Sequence, residues 1–283
     1  MDSSSVADTA SMRRANERNW DARTPVHVAS RFYGLDGSRP AESWFAPYEW
    51  ADLGPLGGSD LVHLQCHLGT ETIAFARRGA ATVGLDISGR SIEQARRIAD
   101  EAGVDVDYIR SDVYDAVTAV GDQRFDIVYT GKGALCYLPD LDDWAAVVAE
   151  LLRPGGVVYI VEFHPVLTSL GPKPGPDDGP ELLLRHDYLE GRGGVEHNST
   201  HTYTDGPALP ADASQVYEWA HGLGHVVTAL AGAGLTITGL RESDLLPWPR
   251  WERMVRDEES GWWRLPPTDP RTPLLYSLTA TKS

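Results

Sequence analysis

Between Leu61 and His164 the chain alternates short apolar runs with amphipathic ones. LVHLQC (61–66) is an unbroken apolar run of strand length. Thr70 to Arg78 follows with helical spacing, and Gly79 is placed to stop it. ATVGLDIS predicts a second strand that ends at Asp86. SIEQARRIADEAG predicts a helix with Ile92, Ala95, Ile98, Ala99 and Ala102 on one face, and Ser91 and Gln94 stand at capping-box spacing. VDYIRSD, FDIVYTG and VVYIVEFHP predict strands ending near Asp112, at Gly131 and near His164. LDDWAAVVAELL lies between the last two as a helix, stopped by Pro154 and Gly155. Strand and helix in alternation imply βαβ crossovers, hence a parallel sheet with helices on both faces.

The flanks read differently. Met1 to Ala10 is polar and small, a frayed tail with no apolar core of a signal peptide. From Ser11 to about Arg31 the pattern is helical, with Asn16, Trp20 and Arg23 along one face, and Pro25 breaks or restarts it. Arg31 to Asp60 is rich in Gly, Pro and aromatic residues, so 1–60 reads as a helical cap and 61–283 as the main unit. Residues 166–215 hold the stretch GPKPGPDDGP and two alternating runs, ELLLRHDYLE and THTYTDGPALP. They predict a loop and β-hairpin that form a lid. QVYEWAHGLGHVVTALAGAG returns to helix, LTITGLRESD is a sixth strand, and LLYSLTATK is the last.

Composition narrows the function. Of 283 residues, 25 are Lys or Arg and 41 are Asp or Glu, a formal charge of −16. Such a surface repels polyanions, so nucleic acid and anionic membrane are excluded as expected partners. No apolar run is long enough to span a bilayer. Two cysteines, Cys66 and Cys136, in apolar segments make no disulfide framework, and a cytoplasmic location is expected.

In an open α/β sheet a ligand sits beyond the carboxyl ends of the strands. Those ends carry His67 to Glu71, Asp86, Asp112–Val113, Thr130–Gly133 and Glu162–His164. Asp86 is placed to accept from ribose hydroxyls, and Asp112 with the Val113 amide from and to an adenine ring. The turn Gln65-Cys66-His67-Leu68-Gly69 keeps one glycine of the expected three, which disfavours close approach to a pyrophosphate and so disfavours NAD.

Leu61–Gly69, GLDIS, SDVYD, FDIVYTGKGALCYLPD, LRPGG and VEFHP together resemble a class I S-adenosylmethionine-dependent methyltransferase. The version HLQCHLGTETIAFARRGA is similar to actinobacterial small-molecule methyltransferases of the indole C3 type. The resemblance implies a Rossmann-like seven-stranded sheet whose seventh strand runs antiparallel between the fifth and sixth. It implies S-adenosyl-L-methionine as cofactor, held by Gln65, His67, Gly69, Thr70, Asp86, Ile87, Asp112, Val113, Thr130, Gly131 and Lys132. Two glycines of the family turn are missing, and His63 stands where an acid is common. The acceptor it implies is C3 of an indole or tryptophan-derived compound. O- or N-methylation of a phenol or amine, NAD-dependent oxidoreduction and cofactor binding without catalysis are the alternatives. A homodimer is compatible with this reading.

For catalysis the candidates are His164 as base or orienter, Glu162 two residues before it on the same strand face, and His221. Each also has a plain structural reading, as a strand-end residue or helix-start cap. Asn16, Trp20 and Tyr33 from the cap, His201 and Tyr203 from the hairpin, and Trp219 are candidate walls for a flat substrate. Nine Trp and eleven Tyr exceed the needs of a core this size. No metal is expected. The pairs His197/His201 and His221/His225 have i, i+4 spacing, but Gly222 stands where H-E-x-x-H needs Glu.

Overall fold

The computed structural model describes residues 3–171 and 182–283, with the side chains of 3–8 left aside. Most of the Gly/Pro stretch GPKPGPDDGP, with Asp177 and Asp178, lies outside the described residues, as does the start of the predicted tail.

Helix α1 runs over Ser3–Ala29 and α2 over Glu49–Leu53. Then come β1 (Asp60–Leu64), α3 (Thr70–Arg77), β2 (Ala81–Asp86), α4 (Gly89–Ala102), β3 (Asp107–Arg110) and α5 (Ala116–Val120). β4 (Phe125–Thr130), α6 (Leu141–Leu151), β5 (Leu152–Phe163) and α7 (Pro165–Ser169) follow. The remainder is β6 (Val195–Asn198), β7 (Gln215–Glu218), α8 (Leu223–Gly232), β8 (Leu235–Ser243), β9 (Val255–Arg256), β10 (Trp263–Arg264) and β11 (Leu275–Lys282).

Seven strands form one sheet in the order β3-β2-β1-β4-β5-β11-β8. The first five are parallel, and β11 runs antiparallel between β5 and β8. This is the expected seven-stranded Rossmann-like sheet. Its parallel strands are apolar on both faces because helices cover both. Trp144, Val148 and Leu151 of α6 with Val226 and Leu230 of α8 pack on one face. Phe75 of α3, with Tyr33, Trp44 and Phe45 from the connection after α1, packs near Tyr129 and Tyr159 on the other. No helix among the described residues is long and apolar enough to cross a membrane.

Four expectations fail. The stretch Met1–Ala10, expected as a frayed tail, is helical from Ser3. Pro25 does not interrupt α1, which continues through it to Ala29, with Thr24 Oγ1 donating to the Trp20 carbonyl at 2.9 Å. The cap of α4 is Ser88, whose side chain accepts from the Ser91 amide, so the Ser91/Gln94 spacing lies inside the helix. The hairpin is β6 with β7, not a pairing of the runs ELLLRHDYLE and THTYTDGPALP. The start of the segment predicted as helix from Gln215 is therefore a strand. Alternation alone does not make a strand where no edge is offered for pairing.

Candidate active site

The parallel strands end on one side of the sheet, and there the chain encloses a cavity of about 820 Å³. Ligand sites are typically about 300–1,000 Å³, so this one has room for two small molecules side by side.

The turn after β1 is the floor. Gln65, His67 and Gly69 all have left-handed φ, 56°, 48° and 70°. A left-handed conformation costs an L-residue about 1–2 kcal/mol, which is why glycine is the usual occupant. The glycine-dependent backbone path is therefore kept by two bulky residues. Gln65 Nε2 donates to the Ala134 carbonyl (2.9 Å), tying the turn to the loop after β4. The His67 amide donates to Asp86 Oδ2 (2.9 Å), its Nδ1 meets Ser91 Oγ (3.0 Å), and its Nε2 meets His27 Nδ1 (2.9 Å). These bonds offset the strain. Gly69 stands behind the wall rather than on it: a Cβ there would run into the Tyr108 ring.

Asp86 ends β2 and lines the cavity. Its carboxylate accepts from the His67 and Ser88 amides at 2.9 and 2.8 Å, and lone pairs remain for a ligand. Burial pushes its pKa up to about 6, against the pull of those two amides. Asp112 caps the turn at Tyr114 (3.1 Å) and is ion-paired with Arg13 of α1, whose guanidinium lies 4.9 Å from the Tyr114 ring. Ile87 and Val113 complete this edge.

Beyond β4, Gly131, Lys132 and Gly133 line the cavity; Thr130 is fully buried beneath them. Lys132 Nζ lies 3.4 Å from the buried Glu49 carboxylate, which also accepts from Tyr129 Oη at 2.9 Å. Glu71 lies on the wall with His63. Burial lowers the His63 pKa to about 4, with Glu71 raising it and Lys132 lowering it, so a neutral imidazole and two charged groups share one corner. An acid and an ammonium there suit the two ends of an amino-acid group, and Glu71 supplies the acid that His63 does not. Sequence reasoning passed over Glu71 as a ligand; its place one residue into α3 was the available signal.

Helix α1 is the roof. Asn16 pairs with the Tyr217 backbone of β7 through both amide atoms (2.9 and 2.7 Å), and Asn19 donates to the Ala213 carbonyl (2.6 Å). On the other side Asp21 accepts from Ser88 Oγ (2.6 Å). Trp20 meets the His67 and Tyr137 rings edge-on, with centroids 5.0 and 5.3 Å apart. Arg13 and His27 continue this stripe of α1 and were missed in the sequence. Tyr33 and Tyr203 join hydroxyl to hydroxyl at 2.6 Å, and Trp219 and His221 line the cavity beyond β7.

Three candidates are corrected. His164 lies outside the cavity wall. Its Nδ1 accepts from the Val166 amide at 3.1 Å as the cap of α7, and its Nε2 is 2.9 Å from Glu242. His164→Ala is expected to lower stability by about 1 kcal/mol, the worth of a helix cap, and to leave turnover within about threefold. A melting curve and an initial rate check it. Glu162 does reach the cavity, but its carboxylate is already occupied by the amides of Gly133, Ala134 (2.8 Å), Leu135 (3.0 Å) and Phe163 (2.6 Å). Burial raises its pKa while those amides oppose it. It positions the loop after β4 and has no acceptor capacity left for a substrate proton. His201 is exposed, bonded to Ser199 and Thr200, and stands off the cavity.

Residues 62–156 match the sequence profile of a family described as a methyltransferase domain. A ubiquinone biosynthesis O-methyltransferase of Methylobacterium sp. is 30% identical over 152 residues, 53% of this chain and 60% of that protein. The Chelativorans sp. protein of the same name is 33% identical over 117 residues, 41% of this chain and 45% of that one. The matched segment thus spans about half the length of these curated relatives. Among solved structures, a putative S-adenosylmethionine-dependent methyltransferase from Listeria monocytogenes superimposes with a TM-score of 0.59 at 21% identity, over 88% of this chain and 99% of that one. One from Mesorhizobium loti gives 0.53 at 22% identity, over 88% and 100%. The fold is that of the class I methyltransferases.

The residues fit the nucleoside and amino-acid parts of S-adenosylmethionine on two observations. Asp86 has spare acceptor capacity at the edge of the cavity. Gln65 lines the cavity and its Oε1 is buried with no hydrogen-bond partner among the described residues, so a ligand there has a polar atom to meet. No group of metal-ligating residues occurs among the described residues. A pH dependence follows. If Asp86 holds a ribose through its ionised form, S-adenosylhomocysteine affinity should be flat above about pH 7 and fall by up to tenfold per unit below about 6. His27 and His63, with pKa values lowered to about 3 and about 4, do not titrate in that window. Calorimetry from pH 5 to 8 checks it.

Proposed function

We propose that the protein transfers the methyl group of S-adenosylmethionine to a small planar aromatic acceptor, foremost C3 of an indole or tryptophan-derived compound. The observation that carries this reading is continuity: the edge at Asp86 and Asp112 and an aromatic chamber faced by Trp20, Tyr137, Phe163, Trp219 and Trp248 belong to one cavity. Flat ligands pack on such walls by offset stacking.

When bound, S-adenosylmethionine supplies a methyl group already activated on a sulfonium. The chain's task is to bind, align and exclude water, and alignment alone can supply about 7–11 kcal/mol. Asp86 holds the ribose, and Glu71 and Lys132 hold the amino-acid end. Glu162 fixes the 133–135 amides, and so the loop that carries Lys132. The ring faces of Trp20 and Tyr137 favour positive charge beside them. Helix α1, held to β7 and to Ser88, closes the site from water. Indole C3 attacks before any proton leaves, so a base is needed only for the N–H proton. His221 is the candidate for that role: Nε2 lies 2.8 Å from the Leu138 carbonyl and so carries its hydrogen, and Nδ1, 3.4 Å from His225 Nδ1, is the acceptor that a substrate proton would reach in competition with that long contact. Burial lowers its pKa, so the ring is neutral at pH 7.

The names of the curated relatives favour a second reading, O-methylation of a phenolic acceptor with His221 taking the phenol proton first. Two measurements decide. S-adenosylhomocysteine and NAD are titrated by calorimetry; binding of NAD alone overturns the methyltransferase reading. Indoles, phenols and amines are then incubated with S-adenosylmethionine and scored for the mass of one added methylene. Product from phenols only removes the indole reading, and cofactor binding with no product from any class favours a non-catalytic protein.

A further inference from the structure

We infer that the acceptor carries a carboxylate, bound by Arg250 at the end of the cavity away from Asp86; this rests on the methyltransferase reading above. Asp86 ends β2, near one edge of the sheet, whereas Arg250 follows β8, the strand at the opposite edge. In a chain of formal charge −16, basic side chains gather there on the cavity wall. Arg250 Nη2 donates to the Gly171 carbonyl. A Cβ on Gly171 would lie 3.0 Å from Arg185 Cδ and 3.3 Å from His186 Nε2, so three basic residues surround one backbone position.

Among the described residues Arg250 has no ion-pair partner; the Glu218 carboxylate acts on it at longer range, and burial outweighs that pull. Its Nε is buried with no hydrogen-bond partner among the described residues, and none of its nitrogens forms an ion pair there. The described acids of this wall, Asp187 and Glu218, make their close contacts with other residues, although Glu218 is near enough to act on Arg250. Asp187 pairs with Arg192 at 3.3 Å. Glu218 accepts from Tyr137 Oη at 3.3 Å and lies 3.7 Å from His197. Leaving a guanidinium partly desolvated and unpaired is costly, and a ligand anion relieves the cost. The planar fork suits a carboxylate, whose two oxygens it can take together. Trp248 stands on the same wall, its ring centroid 5.1 Å from that of Phe163, and gives the acceptor's ring a surface next to the charge. An aromatic acid meets both features at once. A neutral acceptor of the same shape leaves the guanidinium as it is.

The test is calorimetry on the full chain, alone and saturated with S-adenosylhomocysteine. The probes are indole-3-acetate and 3-hydroxybenzoate, each against its primary amide. At least one acid should bind tenfold or more tightly than its amide. The preference should vanish in Arg250→Gln and survive in part in Arg250→Lys, with S-adenosylhomocysteine affinity unchanged in both. Equal affinity of acid and amide, no acid binding at all, or a full preference in Arg250→Gln overturns the inference. If Arg250→Gln does not fold, the wild-type ratio and Arg250→Lys decide. Failure of the methyltransferase reading is distinguishable, because it appears as absent S-adenosylhomocysteine binding while the acid-to-amide ratio of the free protein is still read.

Discussion

Asp86→Asn should weaken S-adenosylhomocysteine binding by about a hundredfold. A hydrogen bond to a charged acceptor is worth about 1.5–3 kcal/mol, and a ribose offers two hydroxyls to one carboxylate. Asparagine keeps one acceptor oxygen, so the loss is about 2–3 kcal/mol rather than the whole. The change also touches the floor, since the two Asp86 oxygens accept from Ser88 and His67. A melting curve is therefore recorded beside the calorimetry. An affinity within threefold of wild type, with normal melting, would remove Asp86 from the nucleoside edge. The same variant should flatten the pH dependence below pH 6, because no carboxyl remains there to protonate.

Glu162→Gln should destabilise the protein by about 3 kcal/mol and take methyl transfer down with it. Four amide donors converge on one buried carboxylate. The substituted amide brings its own NH₂ among them, leaving buried N–H groups unpaired at about 1–3 kcal/mol each. The loop that relaxes carries Lys132 and the Ala134 carbonyl to which Gln65 is bonded. A positioning residue and a general base give different signatures. Loosening the loop lowers melting temperature, nucleoside affinity and rate together. Loss of a base leaves melting and affinity in place and removes the rate alone, and that result would return Glu162 to catalysis.

The sheet was legible because buried parallel strands have to be apolar on both sides, and LVHLQC, FDIVYT and VVYIVEF are. The place of Asp86 and Asp112 on the cavity wall was legible because topology dictates where strand ends meet. The floor was not. Gln65 and His67 carry no local sign of left-handed backbone; what holds them are Ala134, Ser91, His27 and Asp86, spread over the chain. His164 misled for a related reason. A histidine at a strand end is placed near the site by topology, yet one turn of helix and Glu242 claim both its ring nitrogens. The hairpin misled through its apolar content: ELLLRHDYLE reads as a strand, but Leu183, Leu184 and Leu189 are exposed and pair with nothing in a sheet.

Helix α1 borders both parts of the cavity through a single rigid body. Arg13 grips Asp112 at the nucleoside edge, and Asn16, one turn on, grips Tyr217, two residues before Trp219 in the aromatic wall. Whatever settles that helix for one guest settles it for the other, and thermodynamic linkage makes the benefit mutual. The free energy by which the spent cofactor sharpens acceptor affinity must equal that by which the acceptor sharpens retention of the cofactor, and Asn16→Ala should diminish both by the same factor in paired titrations.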